Sequence, residues 1–233
     1  VTSIGDSAFR GCSSLTSITL PFVGNTLNGT TNTHFGYIFG ASSYSCNDDY
    51  IPSSLKEVII TGGTSIGSSA FYNCSSLTSI EIPSSVTSIG YSAFYNCISL
   101  TSIEIPNSVK SIGDYVFYNC NSLTSIIIPN SVTSIGEYAF NGCGSIKYVF
   151  YTGTQEEWNA INKSDAALSY GKIFYNVDED YLLSDNNLYN RNGTMLIACG
   201  AGKSIYVAPD TLKSIEQNAF SDTKGVRFVI LPY

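Results

Sequence analysis

Seven cysteines and a single histidine carry most of the reactive chemistry this chain could offer. Five of the cysteines, Cys12, Cys74, Cys97, Cys120 and Cys143, hold one position of a recurring phrase. No C-x-x-C pair occurs and His34 is the only imidazole. A zinc centre therefore lacks its usual ligands. Disulfides are the other common use of cysteine in an exported chain. Cysteines stacked one coil apart would have Cα atoms about 5 Å from one another, within bridging range. Their side chains point the same way, however, so bridging would require the backbone to twist. The expectation is a buried, reduced ladder in which each thiol acts as a small apolar group with a weak donor. Cys46 and Cys199 lie in irregular segments, where exposure and pairing both stay open.

Other candidates for catalysis are sparse. His34 sits in an aromatic-rich stretch, where a structural or surface role is expected, and nothing at useful spacing marks a nucleophile pair with it. Asp48 with Asp49, and Asp178 with Glu179 and Asp180, read as solvated loop ends rather than calcium ligands. Gly200-Ala201-Gly202-Lys203 looks like a phosphate loop without the spacing of one, and reads as a hairpin turn. No catalytic residue, metal or cofactor is assigned.

What positions the cysteines is the phrase S-V-T-S-I-G-x-x-A-F-x-x-C-x-S-L-T-S-I-x-I-P, which returns every 23 residues from Val86 to Val109 to Val132. A self-similar period in the twenties means a solenoid, in which no single repeat can bury its own apolar residues. The framework positions are Ile4, Ile66, Ile89, Ile112, Ile135 and Ile215, then Phe9, Phe71, Phe94, Phe117, Phe140 and Phe220 five residues on. Leu15, Leu77, Leu100, Leu123, Ile146 and Val226 follow, and each copy ends in a pair such as Ile80 with Ile82 or Val229 with Leu231. The L-x-x-I-x-I-P tail alternates apolar with polar, the signature of a half-buried strand. Coil on coil, such tails make a parallel sheet with neighbours about 4.8 Å apart. The closing proline has no N–H to continue the ladder. The I-G-x-x-A-F part fits a short helical turn on the opposite flank. The glycine after the isoleucine is expected to supply a φ that a larger residue would resist; Glu216 takes its place in the last copy.

The phrase from Thr2 to Pro21 and its copies at 64–83, 86–106, 109–129 and 132–151 resemble the BspA-like family of leucine-rich-repeat surface proteins. That resemblance implies a secreted or wall-attached protein that adheres to host matrix proteins or other cells. It is an implication by analogy, because a shared fold does not carry a shared ligand.

Two stretches interrupt the period. Residues 22–63 read as one irregular coil with a long surface loop from Gly24 to Thr33. Phe35, Tyr37, Ile38 and Phe39 supply its core, and Leu55, Val58 and Ile60 its strand. Residues 152–211 read as a larger α+β insertion on one rim of the solenoid. Thr154 and Glu157 have capping-box spacing ahead of a helix over 155–168. A strand is expected over 173–177, and Asn192-Gly193 signals a hairpin between Leu188-Tyr189 and Met195-Ile197. The chain is therefore one leucine-rich-repeat solenoid over 1–233, with a parallel sheet on one face and short helical turns or irregular segments on the other. It starts inside a repeat and ends just after a repeat's proline, as expected of a piece of a longer protein.

The net charge of −7 and pI near 4.5 argue against nucleic acid and anionic membrane as partners. No apolar run approaches the ~18–20 residues of a membrane span. The strand face offers the more informative surface: Ser79 and Glu81, Ser102 and Glu104, Ser125 and Ile127, Tyr148 and Phe150, then Phe228 and Ile230. It turns from acidic to aromatic along the stack, and clustered apolar side chains on a sheet face mark either a contact surface or ground covered by 152–211. Tyr72, Tyr95 and Tyr118 form a second stripe on the flank, with Tyr115 and Tyr138 just before it; they are either recognition surface or packed on one another. The leading reading is a non-catalytic, extracellular protein-binding or adhesion module. A passive spacer projecting another domain is the alternative, and an enzyme sited in 152–211 the weaker one.

Overall fold

Every copy of the L-x-x-I-x-I phrase becomes a short strand, and the strands stack in parallel because each coil returns to the same place. A computed structural model describes residues 1–163, 168, 171–177, 181–184, 187–190, 195–198, 205–217, 219–220 and 228–231. The main lane starts with Ser17–Leu20, Glu57–Ile60 and Ser79–Glu81. It continues with Ser102–Glu104, Ser125–Ile128, Tyr148–Tyr151 and Lys172–Phe174. The two groups abut where the Thr101 N–H donates to the Thr78 carbonyl at 3.2 Å. A second parallel lane is built from the S-I dipeptides: Ser65–Ile66, Ser88–Ile89, Ser111–Ile112, Ser134–Ile135, and then Asn162–Lys163. The register matches equivalent residues, Ile103 with Ile126 and Ile89 with Ile112.

The third side of each coil is the I-G-x-x-A-F-x-x-C segment. It forms tight turns in place of the expected helical turn, and the reason lies in its hydrogen bonds. The Tyr95 and Cys97 N–H groups bond back three residues to Ser92 and Phe94. The alternate Ser92, Phe94 and Asn96 N–H groups instead donate to Asp114, Val116 and Tyr118 of the next coil. A continuous helix would turn all of these donors inward. The staircase needs two left-handed residues per coil. Three and seven places after the isoleucine, φ is positive at Ser69 with Asn73, Ser92 with Asn96, Tyr115 with Asn119, and Tyr138 with Gly142.

The glycine after the isoleucine is not one of them. Gly67, Gly90, Gly113 and Gly136 are absent from the positive-φ positions. Their role is close approach between coils: a Cβ on Gly136 would lie 2.6 Å from the Gly113 carbonyl carbon and against the Asp114 amide nitrogen. At Gly5, in the first coil, the same atom meets nothing within 4 Å. Gly136→Ala should therefore cost about 1–3 kcal/mol through forced coil separation, while Gly5→Ala stays near neutral. Equal urea midpoints for the two variants would contradict this.

Between the three sides lies a single column of side chains. Phe71, Phe94, Phe117 and Phe140 are fully buried and stacked at centroid separations of 5.4, 5.4 and 5.1 Å. In the irregular coil, Phe35 and Phe39 take the place of the single framework ring and join Phe9 to Phe71. Leu55, Val58 and Ile60 of that coil are buried as the spacing predicts. Two 3₁₀ turns, Phe35–Phe39 and Tyr44–Cys46, and the short helix Asn47–Tyr50 carry it round. Framework side chains at the ends of the described stack are less covered. Cys12 is exposed, and so are Ile215, Val229 and Leu231.

After Tyr151 the stack does not stop. The capping box forms as read, with Thr154 accepting from the Glu157 N–H and Glu157 from the Thr154 N–H. The helix ends at Ala160, well short of 168. Asn162 and Lys163 then pair with Ser134 and Ile135, and Lys172–Phe174 with Tyr148–Phe150. The pull of these two lanes ends the helix early and extends the solenoid by one coil within residues read as an insertion. The Lys163 ammonium reaches the Trp158 carbonyl at 2.6 Å, and the lysine lies over the Trp158 ring. The expected hairpin is present as Asn187–Asn190 against Met195–Ala198, and its tip lies outside the described residues. The spacing did not reveal a second antiparallel partner, Tyr181–Ser184. The last copy pairs with two strands: Ser214–Ile215 with Met195–Leu196 of the hairpin, and Phe228–Ile230 with a further strand, Ile205–Val207.

Candidate functional site

The cysteine ladder is structural in its geometry. Cys74, Cys97, Cys120 and Cys143 are free and buried. The thiols of Cys97, Cys120 and Cys143 donate to the carbonyls of Phe71, Phe94 and Phe117 in the preceding coil, at 3.2, 3.2 and 2.9 Å. That contact is what a cysteine offers here over alanine. Burial pushes the Cys97 thiol up to about 12 and raises Cys74 and Cys120 well above the usual range. The thiolate is the reactive form, so these groups should be inert in the folded protein. Native alkylation followed by peptide mapping should label Cys12 and leave the four buried thiols untouched until denaturant is added; rapid native labelling of Cys97 would refute the ladder. Cys46 is partly exposed near the Ser43 and Ser45 hydroxyls, and Cys199 lies outside the described residues.

His34 is buried, with Nε2 3.0 Å from the Ala41 carbonyl and its ring edge-on to Tyr37. It fastens the irregular coil. Asp48 accepts a hydrogen bond from Ser75, and with Asp49 it borders a cavity of about 370 Å³ walled by Phe9, Ile51 and Pro52. Among the described residues no group of three histidine, cysteine or acidic side chains is placed to hold a metal. The residues 178–180 and 200–203 lie outside the described set.

On the main strand face, the acidic end is open. Glu81 and Glu104 are exposed, with Ser79 and Ser102 half-buried beside them. Glu81 stands in register with Ile59, and Glu104 with Ile127. The aromatic end is different. Phe150 is buried at 1% exposure beneath Phe174 and Val177, in a cluster joined by Ile127, Tyr148 and Ile197. Tyr148 packs on Phe150 and Phe174 at 6.1 Å. Ser125 is buried as well. Ser125 and Phe150, read as surface positions, are therefore withdrawn from any contact surface; for Phe150 the cover is the next coil and the hairpin strand. The side chains of Phe228 and Ile230 lie outside the described residues. What remains accessible is an acidic strip, Glu81 and Glu104, running into a half-covered apolar floor of Ile127 and Tyr148.

The flank tyrosines pack on one another. Tyr72, Tyr95 and Tyr118 stack face to face, and Asn96 donates to Asn73 beside them. Among the described residues no helix is long and apolar enough to cross a membrane.

The sequence matches a family model described as a BspA type leucine rich repeat region, in six copies over residues 1–35 and 47–162. Curated proteins give no match. Among solved structures, a leucine-rich repeat protein from Bacteroides ovatus is 33% identical with a TM-score of 0.50, covering 75% of this chain and 39% of its own. A leucine rich cell surface protein from Faecalibacterium prausnitzii is 26% identical with a TM-score of 0.39, covering 79% and 62%. A leucine-rich repeat protein from T. pallidum is 29% identical with a TM-score of 0.36, covering 40% and 57%. This chain thus spans well under half the length of the Bacteroides ovatus protein.

Proposed function

The chain belongs to the BspA-type leucine-rich repeat family, and from that membership and its open acidic strip we propose that it is a non-catalytic, protein-binding module of a surface-exposed, adhesive protein. Family membership supports a protein-binding and surface role. The observation that carries the location is the pair Glu81 and Glu104, exposed at equivalent positions of adjacent coils. Strands one coil apart attach such side chains about 5 Å from each other; like charges so placed repel mildly, and a basic partner relieves that repulsion. The apolar floor of Ile127 and Tyr148 next to them suits the aliphatic stems of lysine or arginine. A host matrix protein or another cell's surface protein with a basic patch is the partner class this favours.

Purified protein screened against matrix proteins and glycans tests the reading. Any protein partner found should lose about tenfold in affinity when Glu81 and Glu104 are both changed to Gln, as for lost charge-assisted contacts. Tyr148→Ala should weaken it further, with the fold intact by circular dichroism. Binding that ignores all three changes would move the site off this face. No binding at all would favour a passive spacer.

A further inference from the structure

The ring geometry on the flank goes beyond what a recognition surface needs. Tyr72 and Tyr95 lie 4.6 Å apart with planes 4° from parallel, and Tyr95 and Tyr118 4.8 Å apart at the same angle. All three rings are only half-buried, whereas the framework phenylalanine before each is fully buried. We propose that the Tyr72–Tyr95–Tyr118 ladder is a modification site, at which hydrogen peroxide with a peroxidase-class catalyst joins neighbouring coils through dityrosine.

The chemistry balances with that oxidant alone. Peroxide accepts one hydrogen atom from each of two phenols and is reduced to two waters. Each phenoxyl radical carries spin on the carbons ortho to oxygen. Two such carbons form a bond, and the hydrogens they held pass to the oxygens, restoring both phenols. The protein loses two hydrogen atoms per link.

The fold supplies what radical coupling lacks in solution, namely two rings held together and matched in height. The Asn73 N–H donates to the Tyr95 carbonyl at 2.8 Å, and the Asn96 N–H to the Tyr118 carbonyl at 2.7 Å, so the three tyrosines sit one coil apart by backbone bonding. Equivalent attachment on parallel coils keeps their ortho carbons level. Turning both rings about χ2 converts the face-to-face pair to edge-to-edge with those carbons leading. All three rings are half-buried and not enclosed, which leaves that rotation open to them, and the encounter is already made. The other column is less well matched: Tyr91 and Tyr115 are tilted by 58°, and Tyr115 and Tyr138 by 26°. A Tyr95–Tyr118 link closes a 23-residue loop, and so constrains the unfolded chain as a disulfide would.

The test is oxidation of the dilute folded protein with horseradish peroxidase and hydrogen peroxide, followed by digestion and mass spectrometry. The expected product is a monomer lighter by two hydrogens per link, joined at Tyr72–Tyr95 or Tyr95–Tyr118, with a raised thermal midpoint. Tyr95→Phe keeps the stacked ring and removes the phenol, and should abolish both links. Among the described residues Tyr91, Tyr44, Tyr50 and Tyr138 are the more exposed rings, at 54, 48, 44 and 43%. Products that follow exposure, links formed only between molecules, or an undiminished yield in Tyr95→Phe would each overturn the proposal.

Discussion

Replacing Phe117 by alanine is expected to lower stability by about 3–5 kcal/mol, the range for removing a buried aromatic whose site cannot collapse. Phe117 has no exposed surface and lies between Phe94 at 5.4 Å and Phe140 at 5.1 Å. Its neighbours cannot close the gap, because coil spacing is set by backbone bonds and not by side-chain volume. The Phe94 N–H donates to Val116 at 2.9 Å and the Phe117 N–H to Ala139 at 2.7 Å. The Phe117 carbonyl also receives the Cys143 thiol. In a solenoid, stability is close to a sum over neighbouring coils, so a central lesion weakens two interfaces. Phe9→Ala is the internal comparison. Phe9 is partly exposed and touches one ring, Phe39, at 6.0 Å, so its loss should be clearly smaller. Urea midpoints measure both, and equal losses would mean that the coils do not act as a stack of interfaces.

The phenylalanine column was legible in the sequence because its spacing repeats. Every coil that buries Phe71, Phe94, Phe117 or Phe140 does so with the same residues at the same distances along the chain. One set of left-handed positions was also written there, as Asn73, Asn96 and Asn119 with Gly11 and Gly142 in the copies on either side, since asparagine and glycine tolerate positive φ best. Their signal was masked by the more regular Gly67, Gly90, Gly113 and Gly136, whose work is close approach instead. Tyr115 and Tyr138 broke the pattern altogether, being bulky residues at φ of 57° and 53°. The strand face was half legible. Alternation places Ser125 and Phe150 on its outer side, yet both are buried; the cover of Phe150 comes from Phe174, Val177 and Ile197, residues in no sequence repeat, so periodicity gave no warning of it.

Asn47 is the residue that periodicity was least able to find. Asn47→Ala is expected to cost roughly 2–4 kcal/mol, from the buried Gly36 N–H left without a partner and the part-buried Tyr72 carbonyl left with only a long contact from the Cys74 thiol, at about 1–3 kcal/mol for the first and less for the second. In the regular coils, a tyrosine carbonyl on the flank accepts from the backbone of the coil before it, as Tyr95 does from the Asn73 N–H and Tyr118 from the Asn96 N–H. Tyr72 faces the irregular coil, where that donor is supplied by a side chain: Asn47 Nδ2 donates to its carbonyl at 2.8 Å. Asn47 Oδ1 accepts the Gly36 N–H at 3.0 Å, and the residue has no exposed surface. One amide thus stands in for a missing piece of backbone and ties the 3₁₀ segment to the next coil. Gly36 has to be glycine for the same reason, because a Cβ there would strike Asn47 Oδ1 and come within 2.8 Å of the Ala41 Cβ. Asn47→Asp should be at least as damaging, since a carboxylate can still accept from Gly36 but cannot donate to Tyr72. Hydrogen exchange on the variants should show residues 35–39 opening while the 86–129 coils keep their protection. Protection of 35–39 as in the parent protein would mean that the irregular coil is held by its buried rings alone.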